Sequence, residues 1–309
     1  MDKFPDVDLT TSVGRVRLKN PILVAAGTFG YGEEYSRYID LNILGGIITK
    51  TITLNPREGN PPPRLAETPC GLLNSIGLEN PGVDAFISQK LPFLKKLTTA
   101  VIVSIAGEKE EEYLRLAERL SKEEGIRALE VNVSCPNVKL GGVALGKDSG
   151  AVFSLARRLK EAIDIPFILK LPPFVDIVEV AQAAREGGAE ALSLINTVPA
   201  MAIDVEKRRP KLGNITGGLS GPCIKPVAVK IVWEVTRKVD IPVIGMGGIM
   251  NFEDVLEFTL AGASAVAVGT ANFTDPEVSV RIIKDLKNYL GAKNITKFSE
   301  LVGRISLGE

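Results

Sequence analysis

A closed (β/α)8 barrel is the fold the sequence predicts, on three observations. Eight short apolar, β-branched runs recur along the chain, amphipathic stretches separate many of them, and glycines stop several of those stretches. Near-continuous apolar runs of this length mark parallel strands buried on both faces. A series of such βα units closes most simply into a barrel. A doubly wound sheet is the lesser alternative, because no G-x-G-x-x-G follows an early strand. The 309 residues, 45% of them hydrophobic, are read as one barrel domain over 1–309.

The elements follow in order. "DLTTSVGRVRLKNP" (8–21) reads as a hairpin placed to plug the barrel floor. The strand runs are then "PILVAA" (21–26), "GGIITKT" (45–51), "AVIVSI" (100–105), "ALEVNV" (128–133), "PFILKL" (166–171), "ALSLIN" (191–196), "PVIGMG" (242–247) and "AVAVGT" (265–270). Helical periodicity is clear in "EKEEEYLRLAERLSKEEG" (108–125), where Tyr113, Leu114, Leu116, Ala117 and Leu120 form one stripe. It recurs in "SLARRLKEAI", "DIVEVAQAAREGG", "NFEDVLEFTLAGA" and "PEVSVRIIKDLKNYLG". Two connections are long: about 48 residues after the second strand and about 45 after the sixth, where most such loops need far fewer. Long insertions after barrel strands belong to the catalytic face, and the Pro-rich "NPREGNPPPRLAETP" (55–69) is read as an ordered or semi-ordered loop of the first.

Composition narrows the chemistry. Lys plus Arg and Asp plus Glu are each 37, so the balanced charge gives no footprint for nucleic acid or an anionic membrane. No apolar run approaches a membrane span, and "MDKFPDVDL" lacks the regions of a signal peptide, so a cytoplasmic location is expected. The three cysteines form no C-x-x-C pair, and neither a disulfide framework nor a metal site is expected. There is no histidine. Proton transfer must then fall to Cys, Lys, Tyr or a carboxylate.

The strand ends carry the candidate site. Gly247 and Gly248 in "GMGGI", with Gly269 and Thr270 in "VGTANF", can bring backbone N–H groups to a phosphate after strands 7 and 8. Lys50 and Lys170 are cations ending otherwise apolar runs; they either snorkel to solvent or stabilise a polarised ring or carboxylate at the mouth. Asn74, Asn132, Asn137 and Asn196 suit turns singly, but as a set they can read the edges of a small polar heterocycle. Cys135 stands at a strand-to-loop junction, followed by the glycine-bearing "NVKLGGVALGKD", a candidate lid. A thiolate there can serve as a base, whereas Cys70 and Cys223 are read as inert small hydrophobes.

These residues sit in "NPILVAAGTFGYG" (20–32), "KTIT" (50–53), "NPPPRLAETPCGLLNSIGLENPG" (60–82), "VNVSCPN" (131–137), "LINT" (194–197), "GGLSGPCIKP" (217–226), "GMGGI" (245–249) and "VGTANF" (268–273). In that order, across essentially the whole chain, they resemble the FMN-carrying catalytic subunits of the class 1B, heteromeric dihydroorotate dehydrogenases. The resemblance implies oxidation of dihydroorotate to orotate in pyrimidine biosynthesis. FMN phosphate would lie on Gly247, Gly248, Gly269 and Thr270, and Ala26, Gly27, Lys50, Thr51, Lys170, Ile195 and Gly221 would line the rest of the cofactor, with Ser104 and Asn132 adding contacts. Lys50, Asn74, Asn132, Asn137, Asn196 and Thr197 would hold the substrate, with backbone help from Ser75, Ile76, Gly77 and Leu78. Cys135 would take the C5 proton as C6 passes hydride to the flavin. The chain departs from the family pattern at Ala26, Ser104, Pro172 and Phe174. With no dinucleotide fingerprint here, reduction of NAD implies a partner subunit carrying FAD and a 2Fe–2S cluster, in a heterotetramer built on a dimer of this chain. Three rival readings remain: a homodimeric, fumarate-using dihydroorotate dehydrogenase, a flavin-free phosphate-binding barrel with Cys135 as nucleophile, and a non-catalytic ligand-binding barrel.

Overall fold

The computed structural model describes residues 7–134 and 143–308. The chain opens with an antiparallel hairpin, β1 (Thr11–Val13) and β2 (Val16–Leu18), and enters the barrel with β3 (Ile22–Val24) and β4 (Gly46–Ile48). The first insertion contributes β5 (Leu65–Thr68) and β6 (Gly71–Asn74). Barrel strands β7 (Ala100–Ile105), β8 (Ala128–Asn132), β9 (Phe167–Lys170) and β10 (Ala191–Leu194) follow. The second insertion holds β11 (Val198–Ala200), β12 (Ile203–Asp204), β13 (Arg209–Pro210) and β14 (Gly217–Ser220). The last two barrel strands are β15 (Val243–Met246) and β16 (Ala265–Val268).

The barrel closes in the order β10-β15-β16-β3-β4-β7-β8-β9, with every pairing parallel. All eight strands fall within the runs the sequence marks. Helices over 110–120, 149–162, 177–186, 252–260 and 278–292 match the periodic stretches, and a further helix spans 225–236. The connection after β3 is an exception to the expected repeat: it holds two 3-10 turns, Tyr35–Arg37 and Leu41–Ile43, in place of an α-helix. They still cover the barrel, because Leu41 and Leu44 pack with Val24, Phe29 and Ile47. None of the helices among the described residues is long and apolar enough to cross a membrane.

Side-chain alternation sorts each strand into an outer face, packed on helices, and an inner face. At the N-terminal end the inner positions are small: Ala100, Ala128, Ala191 and Ala265 each begin a strand. The space they leave is filled by Val13, Val16 and Leu18 of the hairpin, which share one buried cluster with them and with Leu23, Ile102, Ile168 and Ile244. The expected plug is therefore present. Leu18 is 1% exposed, so Leu18→Ala is expected to cost about 2–5 kcal/mol. Chemical denaturation checks this, and an unchanged midpoint and slope would contradict the plug's contribution.

The two insertions do not stay separate loops. Strands β5 and β6 join β14 and β11 in one four-stranded antiparallel sheet, in the order β11-β14-β6-β5. The Pro-rich loop thus ends in a strand of that sheet. Gly218 pairs with Asn74 and has no room for a side chain, since one would run into the Thr197 hydroxyl. That close approach lets the sheet stand over the barrel mouth and bring Asn74 and Thr197 to the same place.

Candidate active site

A cavity of about 220 Å3 opens between the C-terminal ends of the barrel strands and the insertion sheet. Its position follows from the alternation above: the inner face of β4 continues to Lys50, that of β8 ends at Asn132, and that of β9 ends at Lys170. Apolar contributions include Ala25, Leu72, Ile195 and Met246. A pocket with apolar walls and a few convergent polar groups is the usual form of a small-molecule site.

The loop after β3 is firmly set. Ala25 N–H donates to the Val268 carbonyl at 2.8 Å, Tyr35 Oη donates to the Thr28 carbonyl at 2.9 Å, and the Phe29 and Tyr35 rings stack with centroids 3.8 Å apart. Lys50 is fixed at its backbone by donating to the Gly30 carbonyl at 2.8 Å. Across the mouth, Asn132 Oδ1 accepts from the Ser134 amide and hydroxyl at 3.1 and 2.9 Å, so what it retains for the pocket is its NH2 donor. Asn196 donates to Ser134 Oγ at 2.9 Å and accepts from the Thr197 amide at 2.8 Å. Asn74 Nδ2 donates to the Gly218 carbonyl at 3.3 Å, leaving its oxygen for a ligand.

The glycine end is built differently. Among the described residues the amides of Gly247, Gly248, Gly269 and Thr270 donate to no protein acceptor, although all four residues line the pocket and are half-buried. Half-buried amides without acceptors suit an anion, because each leaves a donor free for it. Thr270 Oγ1 donates to Ser220 Oγ at 2.7 Å, which in turn donates to the Leu72 carbonyl at 3.2 Å. This end of the pocket is therefore tied to both insertions. The residues fit a phosphorylated cofactor: free N–H donors at one end, lysines and asparagines at the other.

Most residues singled out from the sequence converge here. Ala26, Gly27, Thr51, Ile76, Gly77, Leu78 and Gly221 line the cavity with the lysines, asparagines and glycines already named. Lys170 does not snorkel to solvent; it is 5% exposed. Ser75 and Ser104 lie behind the wall: Ser75 accepts from Asn60 Nδ2 at 2.8 Å, and Ser104 shares a 2.9 Å hydrogen bond with Thr51. Pro172 is buried and Phe174 is 59% exposed; neither lines the pocket. Cys135 and Asn137 lie outside the described residues. The sequence reads Cys70 and Cys223 as inert small hydrophobes; the structure leaves both outside the core. Both are exposed, because they sit on the surface of the insertions, where Cys223 N–H donates to the Cys70 carbonyl at 3.3 Å. Partial burial and the neighbouring Cys70 push the Cys223 thiol up from its ordinary value.

Two groups went unnoticed in the sequence. Glu130 and Ser193 are fully buried inside the barrel and joined by a 3.0 Å hydrogen bond. The signal was present in "ALEVNV", where Glu130 alternates in phase with Ala128 and Asn132.

A family profile described as dihydroorotate dehydrogenase matches residues 8–290, nearly the whole chain. The chain belongs to the dihydroorotate dehydrogenase family. Its similarity to individual members is close and end to end. The chain is 54% identical over 302 residues to a protein of Desulforamulus reducens, covering 97% of this chain and 99% of the other. It is 52% identical over 301 residues to one of Geobacter sp. (strain M21), again covering 97% and 99%. With a third, from Thermoanaerobacter pseudethanolicus, the identity is 50% over 302 residues, covering 97% and 100%. Each of the three is named dihydroorotate dehydrogenase B (NAD(+)), catalytic subunit.

Proposed function

We propose that this chain is the FMN-binding catalytic subunit of an NAD-linked dihydroorotate dehydrogenase, oxidising (S)-dihydroorotate to orotate in pyrimidine biosynthesis. The observation that carries the reading is the pocket itself, with phosphate-type donors at Gly247, Gly248, Gly269 and Thr270 facing a set of lysines and asparagines across one cavity. FMN, when bound, supplies the two-electron acceptor. The chain's own residues do the rest. Ala26, Gly27, Thr51, Lys170, Ile195 and Gly221 hold the cofactor, and Lys50 places a positive charge where negative charge builds up during the reaction. Asn74, Asn132, Asn137, Asn196 and Thr197 hold the heterocycle, and Ile76, Gly77 and Leu78 offer backbone groups.

Cys135 takes the substrate proton. Among the described residues lining the cavity there is no carboxylate, thiol or phenol, so the two lysines are its only titratable side chains. Tyr31 does not line the cavity, and burial, followed by nearby Glu34, pushes its phenol up to about 12, which keeps it protonated at neutral pH. Cys135 directly follows Ser134, whose hydroxyl and carbonyl hold Asn196 at the mouth.

Gly248 tests the phosphate assignment. At φ +78° a Cβ there would come within 2.8 Å of the Gly221 carbonyl oxygen. Gly248→Ala is expected to introduce roughly 1–3 kcal/mol of strain and to weaken FMN binding about tenfold or more. Titration of the cofactor-free protein with FMN measures it; unchanged affinity would remove Gly248 from the site.

Electrons leave through a partner subunit carrying FAD and a 2Fe–2S cluster, in a heterotetramer with two copies of this chain. The purified chain is expected to reduce an artificial dye with dihydroorotate, and to reduce NAD only after the partner is added. Efficient NAD reduction by the chain alone would overturn the partner assignment. Efficient use of fumarate would assign it instead to the homodimeric branch.

A further inference from the structure

Directly beneath the pocket, the barrel interior holds a carboxylate that the reaction itself does not require. Glu130 is 0% exposed on the inner face of β8, among aliphatic side chains such as Ile102 and Ile168. An isolated carboxylate in such surroundings is strongly disfavoured unless it is paired and hydrogen-bonded. It has both kinds of partner. Ser104 Oγ donates to Oε1 at 3.1 Å, Ser193 Oγ donates to Oε2 at 3.0 Å, and Lys170 Nζ lies 3.7 Å from Oε1. The arrangement reaches the pocket wall twice, through Lys170 itself and through the hydrogen bond between Ser104 and Thr51.

Strand register explains why these groups meet. Ser104 on β7 is level with Glu130, while Ser193 on β10 is level with Lys170 on β9. Three neighbouring strands therefore supply donors to one carboxylate on a fourth. Lys170 is 5% exposed and lines the cavity, so its charge acts directly on whatever the cavity holds.

We infer that Glu130 is the positioning residue and counter-ion of Lys170, holding the ammonium at the pocket floor and keeping the net charge under the FMN site near zero. This inference rests on the reading of the pocket as an FMN site. Removing Glu130's charge leaves an uncompensated cation that favours reduction of the flavin; removing that of Lys170 leaves an uncompensated anion that opposes it. A role in packing alone predicts no such opposition of sign.

The test is the midpoint potential of bound FMN in the wild-type protein, Glu130→Gln, Lys170→Met and the double variant. Glu130→Gln is expected to raise the two-electron reduction constant at least tenfold, about 30 mV, and Lys170→Met to lower it, with the double variant returning toward wild type. Glu130→Asp keeps the charge and is expected to stay nearer wild type than Glu130→Gln. Thermal melting of the cofactor-free proteins gives a second readout: each single variant is expected to melt below the double, because each leaves one buried charge unpaired. Unchanged potentials, shifts of one sign in both single variants, or a double variant that melts below both singles would overturn the inference. A wild-type protein that takes up no FMN would overturn the reading of the pocket, whereas a flavin-loaded wild type with unshifted variants would overturn the counter-ion role alone.

Discussion

Cys135→Ala is expected to lower dihydroorotate turnover roughly 10²–10⁴-fold at neutral pH while leaving FMN bound, the span that loss of a positioned general base gives. The size follows from the lack of substitutes. The chain has no histidine. The described residues of the cavity offer only Lys50 and Lys170 as titratable side chains, and Lys170 is paired with Glu130. Steady-state turnover, with the rate of flavin bleaching by dihydroorotate, measures the effect. Turnover near that of the wild type would contradict the assignment.

Lys50→Ala is the second large effect. Its side chain extends the inner face of β4 into the cavity, and its amide is anchored on Gly30. Removing one fixed donor from a site that stabilises developing negative charge costs roughly 10²–10³ in rate. Both flavin reduction and orotate affinity are expected to fall if the proposed placement of Lys50 against cofactor and substrate holds. Rapid-mixing measurement of the reductive step, with an orotate titration of the same variant, separates the two. An intact reductive rate would remove Lys50 from the chemistry and leave it a binding role at most.

The barrel was legible because each of its strands is buried on both faces, which writes an apolar run into the sequence wherever a strand lies. The hairpin was legible for a related reason: Val13, Val16 and Leu18 alternate with polar residues and have only the barrel floor to cover. The insertion sheet was not. Its strands are short and rich in glycine, proline or polar residues, and the pairing that joins the two insertions, β14 with β6, spans more than a hundred positions, as Gly218 with Asn74. No local pattern encodes such a pairing. The helix over 225–236 was hidden by its own composition, since "VAVKIVWEV" reads as a β-branched run until a barrel behind it makes Ala228, Ile231, Val232 and Val235 a buried stripe.

The candidate site shows the same division. Glycines and lysines at strand ends stood out because they break apolar runs, and the structure brings them to one cavity. Glu130 breaks a run just as plainly, yet its meaning lies in partners on three other elements: Ser104, Lys170 and Ser193. A single strand's sequence contains only one member of that group. The exposure of Cys70 and Cys223 was not legible either, since thiols usually pack inside and these stand on the insertion surface.

The most direct test of the account is an anaerobic absorbance spectrum of the purified chain before and after addition of dihydroorotate. The account predicts a flavin band that bleaches on addition, joining cofactor, substrate and electron transfer in one observation. A colourless protein that gains no band on incubation with FMN, or a yellow one that dihydroorotate leaves oxidised, would contradict it.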